Sequence, residues 1–394
     1  MTANAPAAGF ADTKPHYEIL DGLRGVAALM VVWYHICEGY AFAAGDATIT
    51  FLNHGYLAVD FFFILSGFVL GYAYDDRWAK GFTTGDFFKR RLIRLHPMVI
   101  MGALIGTVAF LLQGSVQWDG THVATSAVML ALLLAMFMIP TVPGSFCEVR
   151  GNGEMFPLNG PSWSLFFEYI GNILYALFIR RLPTKALAVL TAVLGVGLGA
   201  FAIADFSGYG SLGVGWTLDG LNFLGGLLRM LFPFTMGMLI SRVFKPIKVK
   251  GAFWICSAAL VAIFAVPYIS SEHLVRSGQE TAAVCLNGIF ETACILFLFP
   301  ALLWLAASDK VSGHTESLCR AIGNLSYPLY ITHYPVMYLF YAWMIRTGRH
   351  DFASTWWQSL LVYAVSILIG TLCLKLYDEP LRRRLAARFL KKHK

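Results

Sequence analysis

The chain has 394 residues, of which 57% are hydrophobic and only 13% charged, with a mean hydropathy of +0.63. Soluble globular proteins carry about 25% charged residues, so composition excludes a soluble enzyme and points to an all-α, polytopic membrane protein. The net charge of +7 comes from basic clusters between apolar runs and at the C-terminus; this reads as orientation and lipid contact, not as nucleic-acid binding.

In chain order, residues 1–16 are small and polar and show no signal-peptide pattern. They are expected to form a cytoplasmic tail, followed by one transmembrane domain over 17–380 and a basic cytoplasmic tail over 381–394. A bilayer crossing needs about 20 apolar residues. Candidate runs lie at 22–38, 55–74, 95–112, 122–139, 162–179, 186–204, 221–241, 251–269, 281–306, 325–345 and 355–376. The seven cysteines have no C-x-x-C spacing and read as small buried hydrophobes, so no metal site is expected.

The first run holds Arg24 and His35, eleven residues apart. That is close to three turns, so both share one helical face about 16 Å apart. Ionisable groups at such depth face the bundle interior or a wet cavity. The second run, "GYLAVDFFFILSGFVLGY", places Asp60 at a helix start and Ser66-Gly67 where helices can approach closely. The third opens with "FFKRRLIRLHP", in which Arg91 and Arg94 share a face suited to phosphate. Glu168 lies inside "NGPSWSLFFEYIGNILYALF", where a carboxylate needs a partner such as Arg24 or Arg229. His333 lies inside the late run "LSYPLYITHYPV".

Loop charges set the topology. If one early segment does not cross, 24 Lys/Arg fall on the cytoplasmic side and 4 outside, with Arg24 and Arg229 inside spans. The segment 122–139 is short and runs into Pro140 and a Gly/Pro-rich stretch. The expectation is about ten crossings, both termini cytoplasmic, and a re-entrant or non-spanning element near 122–161 beside a cavity.

The ordered series "LDGLRGVAALMVVWYH", "VDFFFILSGFVLGY", "FFKRRLIRLHP", "WSLFFEY" and "LSYPLYITHYPV", closed by "YDEPLRRRL", resembles the membrane-bound acyltransferase 3 family from residue 17 to about 380. The resemblance implies an integral membrane enzyme that takes acyl groups, often acetyl, from cytoplasmic acyl-CoA. Its acceptors would be hydroxyls, mostly of extracytoplasmic or exported carbohydrates, antibiotics or lipids. Arg24 with His35, Arg91 with Arg94, Trp163-Ser164 with Glu168, and His333 match the family's motifs. Tyr169 follows Glu168 where many members have a second Glu or Gln. The tail "RRRLAARFLKKHK" stands where many members append an esterase-like domain, which favours direct transfer.

The reading is an O-acyltransferase of the bacterial inner membrane acting on a carbohydrate or glycolipid, as in exopolysaccharide or cell-surface glycan modification. His35 would be the general base, with Glu168 orienting or charge-tuning His35 or Arg24. Arg91 and Arg94 would hold the phosphates of acyl-CoA, with acetyl-CoA the expected donor, and Arg24 would lie between. Asp60, Trp163, Ser164 and His333 are substrate-site candidates. A covalent acyl-histidine relay stays open. The rival is a transporter of organic anions or acylated sugars, which would use the same buried charges without covalent chemistry.

Overall fold

Each apolar run contains a helix in the computed structural model, which describes residues 16–45, 52–269 and 281–390. The expectations for residues 1–15 and 391–394, and for the loop carrying Arg276, lie outside the described residues. The helices are α1 (Glu18–Ala44), α2 (Ala58–Trp78), α3 (Thr84–Leu112), α4 (Thr125–Met136), α5 (Ser162–Leu177), α6 (Thr184–Ile203) and α7 (Gly220–Val243). They continue with α8 (Ala252–Ala265), α9 (Thr281–Ala293), α10 (Phe299–Ser308), α11 (Gly313–Thr347), α12 (Phe352–Leu372) and α13 (Glu379–Phe389). Among the described residues, β structure is limited to two isolated bridges. One π turn (Cys294–Leu298) joins α9 to α10 and another (Cys373–Asp378) joins α12 to α13.

Eight helices among the described residues are long and apolar enough to cross a membrane. The 35-residue α11 has the length but is more polar. The fourteen-residue α8 spans about 21 Å. Ten crossings therefore require counting α8 and α11 with the eight. The twelve residues of α4 reach only about 18 Å, against a hydrocarbon core of about 30 Å. Pro140 and the irregular chain beyond it stop that helix from lengthening.

Local chemistry fixes the helix ends. A capping box between Thr83 and Asp86 starts α3, and Asp219 and Asp351 cap α7 and α12 by accepting from backbone N–H groups. Without an apolar–aqueous difference to drive helices together inside lipid, close packing does the work. At Gly67 and Gly237 it is reciprocal: a Cβ on Gly67 would collide with the Phe234 carbonyl oxygen, and one on Gly237 with that of Ile64. This locks α2 against α7. The most extensive helix pair is α1 with α11, and the candidate site lies along it.

The chain from 137 to 161 folds back onto the bundle. Pro335 cannot supply the N–H that would bond the Ile331 carbonyl. Asn159 donates its Nδ2 to that carbonyl instead, at 2.9 Å. Arg150, fully buried, donates Nε to Pro157 O at 2.6 Å and a terminal nitrogen to Gln113 Oε1 at 2.9 Å. Its guanidinium carbon lies 3.4 Å from the centre of the Tyr338 ring. The segment thus ties several of its polar groups to protein partners, and it walls a cavity.

Candidate active site

Arg24 and His35 face the same interior, and each lines a separate cavity. The larger cavity, about 410 Å³, is lined by His35, Glu38, Glu154, Trp163, Arg229 and many tyrosines. His35 Nδ1 lies 2.7 Å from Glu38 Oε2. A carboxylate only accepts, so Nδ1 carries the proton of the neutral ring and Nε2 is left bare. Tyr34 donates its hydroxyl to the other Glu38 oxygen at 3.3 Å. The Tyr334 ring stands edge-on to His35 at 4.7 Å, and the Tyr341 hydroxyl donates to the His35 carbonyl. The imidazole is therefore held by Glu38 and flanked by Tyr334, and its backbone is tied by Tyr341. Glu154 enters from the 137–161 chain and accepts from Tyr338 and Asn152. Burial pushes its carboxyl above the usual range, while Arg150 and those hydrogen bonds pull it back.

The smaller cavity, about 110 Å³, is lined by Arg24, Arg91, Arg94 and Glu168, with Ser66, Ser164 and Ser326. Arg24 pairs with Asp21 at 2.8 Å. Arg91 pairs with Glu168 at 2.7 Å, and Glu168 also accepts from Ser66 at 2.9 Å. Arg91 Nε is buried without a partner, and among the described residues Arg94 has no hydrogen bond or ion pair of its own. Asp21 and Asp378 reach Arg94 only through longer-range attraction, and a guanidinium with no direct partner beside an unused guanidinium N–H fits an anion such as phosphate.

Residues 17–375 match the family described as an acyltransferase domain. The chain belongs to the acyltransferase 3 family. This acyltransferase is 26% identical to the acyltransferase MdmB of Streptomyces mycarofaciens, over 94% of its own length and 92% of that protein. It is 35% identical to "Protein 2 in picA locus" of Rhizobium radiobacter, over 48% of this chain and 95% of that one. The peptidoglycan O-acetyltransferase OatA of Listeria monocytogenes is 24% identical over 94% of this chain but 56% of its own length. No solved structure matches.

The remaining predicted residues of the acyltransferase fall in four places. Trp163 lines the histidine cavity, with the Arg229 guanidinium 5.3 Å from its ring. Ser164 lines the arginine cavity. Asp60 is fully buried against Arg229 at 2.6 Å, and Arg229 further donates to the Val214 and Tyr56 carbonyls; this pair braces α2 on α7. His333 is fully buried and stacks on His35 at 5.3 Å. Its Nδ1 donates to the Tyr330 carbonyl at 2.9 Å and its Nε2 has no partner.

Glu168 does not meet His35 or Arg24 as the sequence reading allowed. It sits on α5 at the level of the arginine cavity, where Arg91 of α3 is nearer. The carboxylate on His35 is Glu38, three residues further along the same helix, a spacing that places two side chains on one face. A second signal lay in α11: Tyr327, Tyr330, Tyr334, Tyr338 and Tyr341 recur at helical spacing, and four of them line the histidine cavity.

Proposed function

We propose that this membrane acyltransferase moves an acyl group, acetyl first among them, from cytoplasmic acyl-CoA to a hydroxyl of a carbohydrate or glycolipid. The observation that carries the reading is the pair of unlike cavities on one helix. One presents arginines, the other a carboxylate-held imidazole, and both are bounded by Val59 and Tyr330. With both termini cytoplasmic, the arginine cavity opens toward the donor and the histidine cavity toward the acceptor. Arg91 and Arg94 hold the donor's phosphates, with Arg24 beside them. A cavity of about 110 Å³ admits a phosphate or a narrow thioester arm, so the bulk of the donor stays outside it.

The chemistry follows from the protonation of His35. A sugar hydroxyl gives its proton to His35 Nε2 as its oxygen attacks the thioester carbonyl carbon. Glu38 stabilises the imidazolium that forms. The tetrahedral intermediate collapses, the C–S bond breaks, and the thiolate takes the proton from Nε2. Protons balance, and the products are an ester and free CoA thiol. Aromatic walls suit the apolar faces of a sugar ring, with a few polar groups fixing orientation.

Purified protein in lipid nanodiscs, given radiolabelled acetyl-CoA and a panel of glycosides, tests the reading. Label esterified to a glycoside is expected. Movement of acylated sugar across a vesicle membrane with no label transferred would favour the transporter instead.

A further inference from the structure

The two cavities adjoin, but two side chains stand between them. Val59 and Tyr330 line both. Val59 is a short branched side chain on α2 with little freedom to move aside. Tyr330 is a long one with room beside it, because its ring borders the larger cavity. Its hydroxyl lies 2.7 Å from Ser164 Oγ. Ser164 spends its own proton on the Pro161 carbonyl at 3.0 Å, so Tyr330 is the donor in this bond. The Phe62 ring stands edge-on behind Tyr330 at 5.5 Å. The tyrosine is therefore clasped on the wall that the arginine cavity and the His35 cavity share.

We infer that Tyr330 is a positioning residue that partitions donor from acceptor: its ring must leave Ser164 for the acyl group to reach His35, and its closed position denies water and acceptor access to a waiting thioester. The inference rests on the acyltransferase reading and adds a task that reading does not require. An activated carbonyl beside a general base hydrolyses when water reaches it, and excluding water protects it. The side reaction is balanced: water replaces the sugar hydroxyl, the C–S bond breaks, and the products are the free acid and CoA thiol. The same imidazole serves both reactions, so the partition, not the base, sets their ratio.

The position of the clasp supports this role. Tyr330 and His333 are joined through the Tyr330 carbonyl, which accepts from His333 Nδ1. His333 in turn stacks on His35. The backbone of the partition is thus fixed beside His35, while the hydrogen bond that holds its side chain is the one from its hydroxyl to Ser164.

The test compares Tyr330→Phe, Tyr330→Ala and Ser164→Ala in the full chain in nanodiscs. Thiol release from acetyl-CoA without acceptor reports hydrolysis, and labelled ester formed on glycosides reports transfer. Tyr330→Phe and Ser164→Ala remove the same hydrogen bond. Both should raise the hydrolysis-to-transfer ratio by roughly two- to tenfold. Tyr330→Ala removes the ring and should raise it further, on the order of tenfold or more. A merely structural tyrosine would lower both rates together and leave the ratio fixed. If Tyr330→Ala does not insert, the other two variants decide. Wild-type transfer with an unchanged ratio in Tyr330→Phe and Ser164→Ala overturns the partition. Absence of any transfer by the wild type overturns the acyltransferase reading beneath it.

Discussion

Replacing Glu38 with glutamine probes the base at its weakest support. The substitution is nearly isosteric, so packing is kept. In the proposed reaction the carboxylate, 2.7 Å from His35 Nδ1, keeps the ring proton on Nδ1 and offsets the charge the ring gains when it takes the acceptor proton. An amide at 38 can turn either way. With its oxygen toward Nδ1 the tautomer survives, but the charge is gone. With its NH2 toward Nδ1 the ring must accept there, its proton moves to Nε2, and no base remains. The corresponding aspartate-to-asparagine change in a serine protease costs about 10⁴ in turnover. The Glu38 side chain is 33% exposed, so water can partly replace it. A loss of about 10²–10³ in kcat is expected, or about 2.7–4.1 kcal/mol of barrier. Donor KM should hold, because the arginine cavity is separate. The assay is label transfer from acetyl-CoA at saturating donor for Glu38→Gln, His35→Ala and the double variant. His35→Ala alone should cost about 10²–10⁴. The double variant should match it, since two groups acting as a unit are not additive. Turnover of Glu38→Gln within about threefold of wild type, or additive losses in the double variant, refutes the dyad.

Arg94→Ala should raise donor KM about tenfold or more, since one charge-assisted contact is lost, with thermal stability little changed because among the described residues Arg94 makes no hydrogen bond or ion pair; an unchanged KM returns Arg94 to a topogenic role. Arg91→Ala should raise donor KM and also lower the melting temperature, because Glu168 loses its guanidinium, and adding Glu168→Gln should recover stability but not KM. Asn159→Leu leaves the Ile331 carbonyl unsatisfied, at a cost of about 1–3 kcal/mol, and should raise acceptor KM with donor KM unmoved. Single cysteines placed at 181–185 should react only with reagents supplied from the cytoplasm; labelling from outside would overturn ten crossings with both ends inside.

What could be read from the sequence follows from which distances a helix fixes. Arg24 and His35 share a face because eleven residues are close to three turns, and in the structure each lines a cavity along α1. The brevity of α4 was legible from Pro140 and the Gly/Pro-rich chain beyond it. Glu38 obeys the same helical rule as Arg24 and His35, yet it falls where an apolar run is ending, and a carboxylate there reads as interface. The tyrosines of α11 were legible as a stripe, but an aromatic stripe at helical spacing reads as core. The partners of Glu168 and Asp60 were not legible, because they lie on other helices. Arg91 reaches Glu168 through the packing of α3 on α5, and Arg229 reaches Asp60 through the glycine-lined contact of α2 with α7.

The register of α1 against α11 sets the chemistry that two helices must share. The proposed base and its carboxylate, His35 and Glu38, are on α1; Tyr330, His333 and Tyr334 are on α11. Near the other end of the pair, Gly25 lies against Ile322 so closely that a Cβ there would come within 2.6 Å of the Ile322 backbone. One residue of slip would move α11 by about 1.5 Å and turn it by about 100°. Tyr330 would then leave the boundary between the cavities, and Tyr334 would leave the edge of His35. A contact that touches neither cavity thus fixes the distance from the arginines to His35. It also fixes the residue standing between them. In the proposed reaction the arginines select the donor and the tyrosines shape the acceptor cavity, and the close approach at Gly25 makes the two cavities parts of one site.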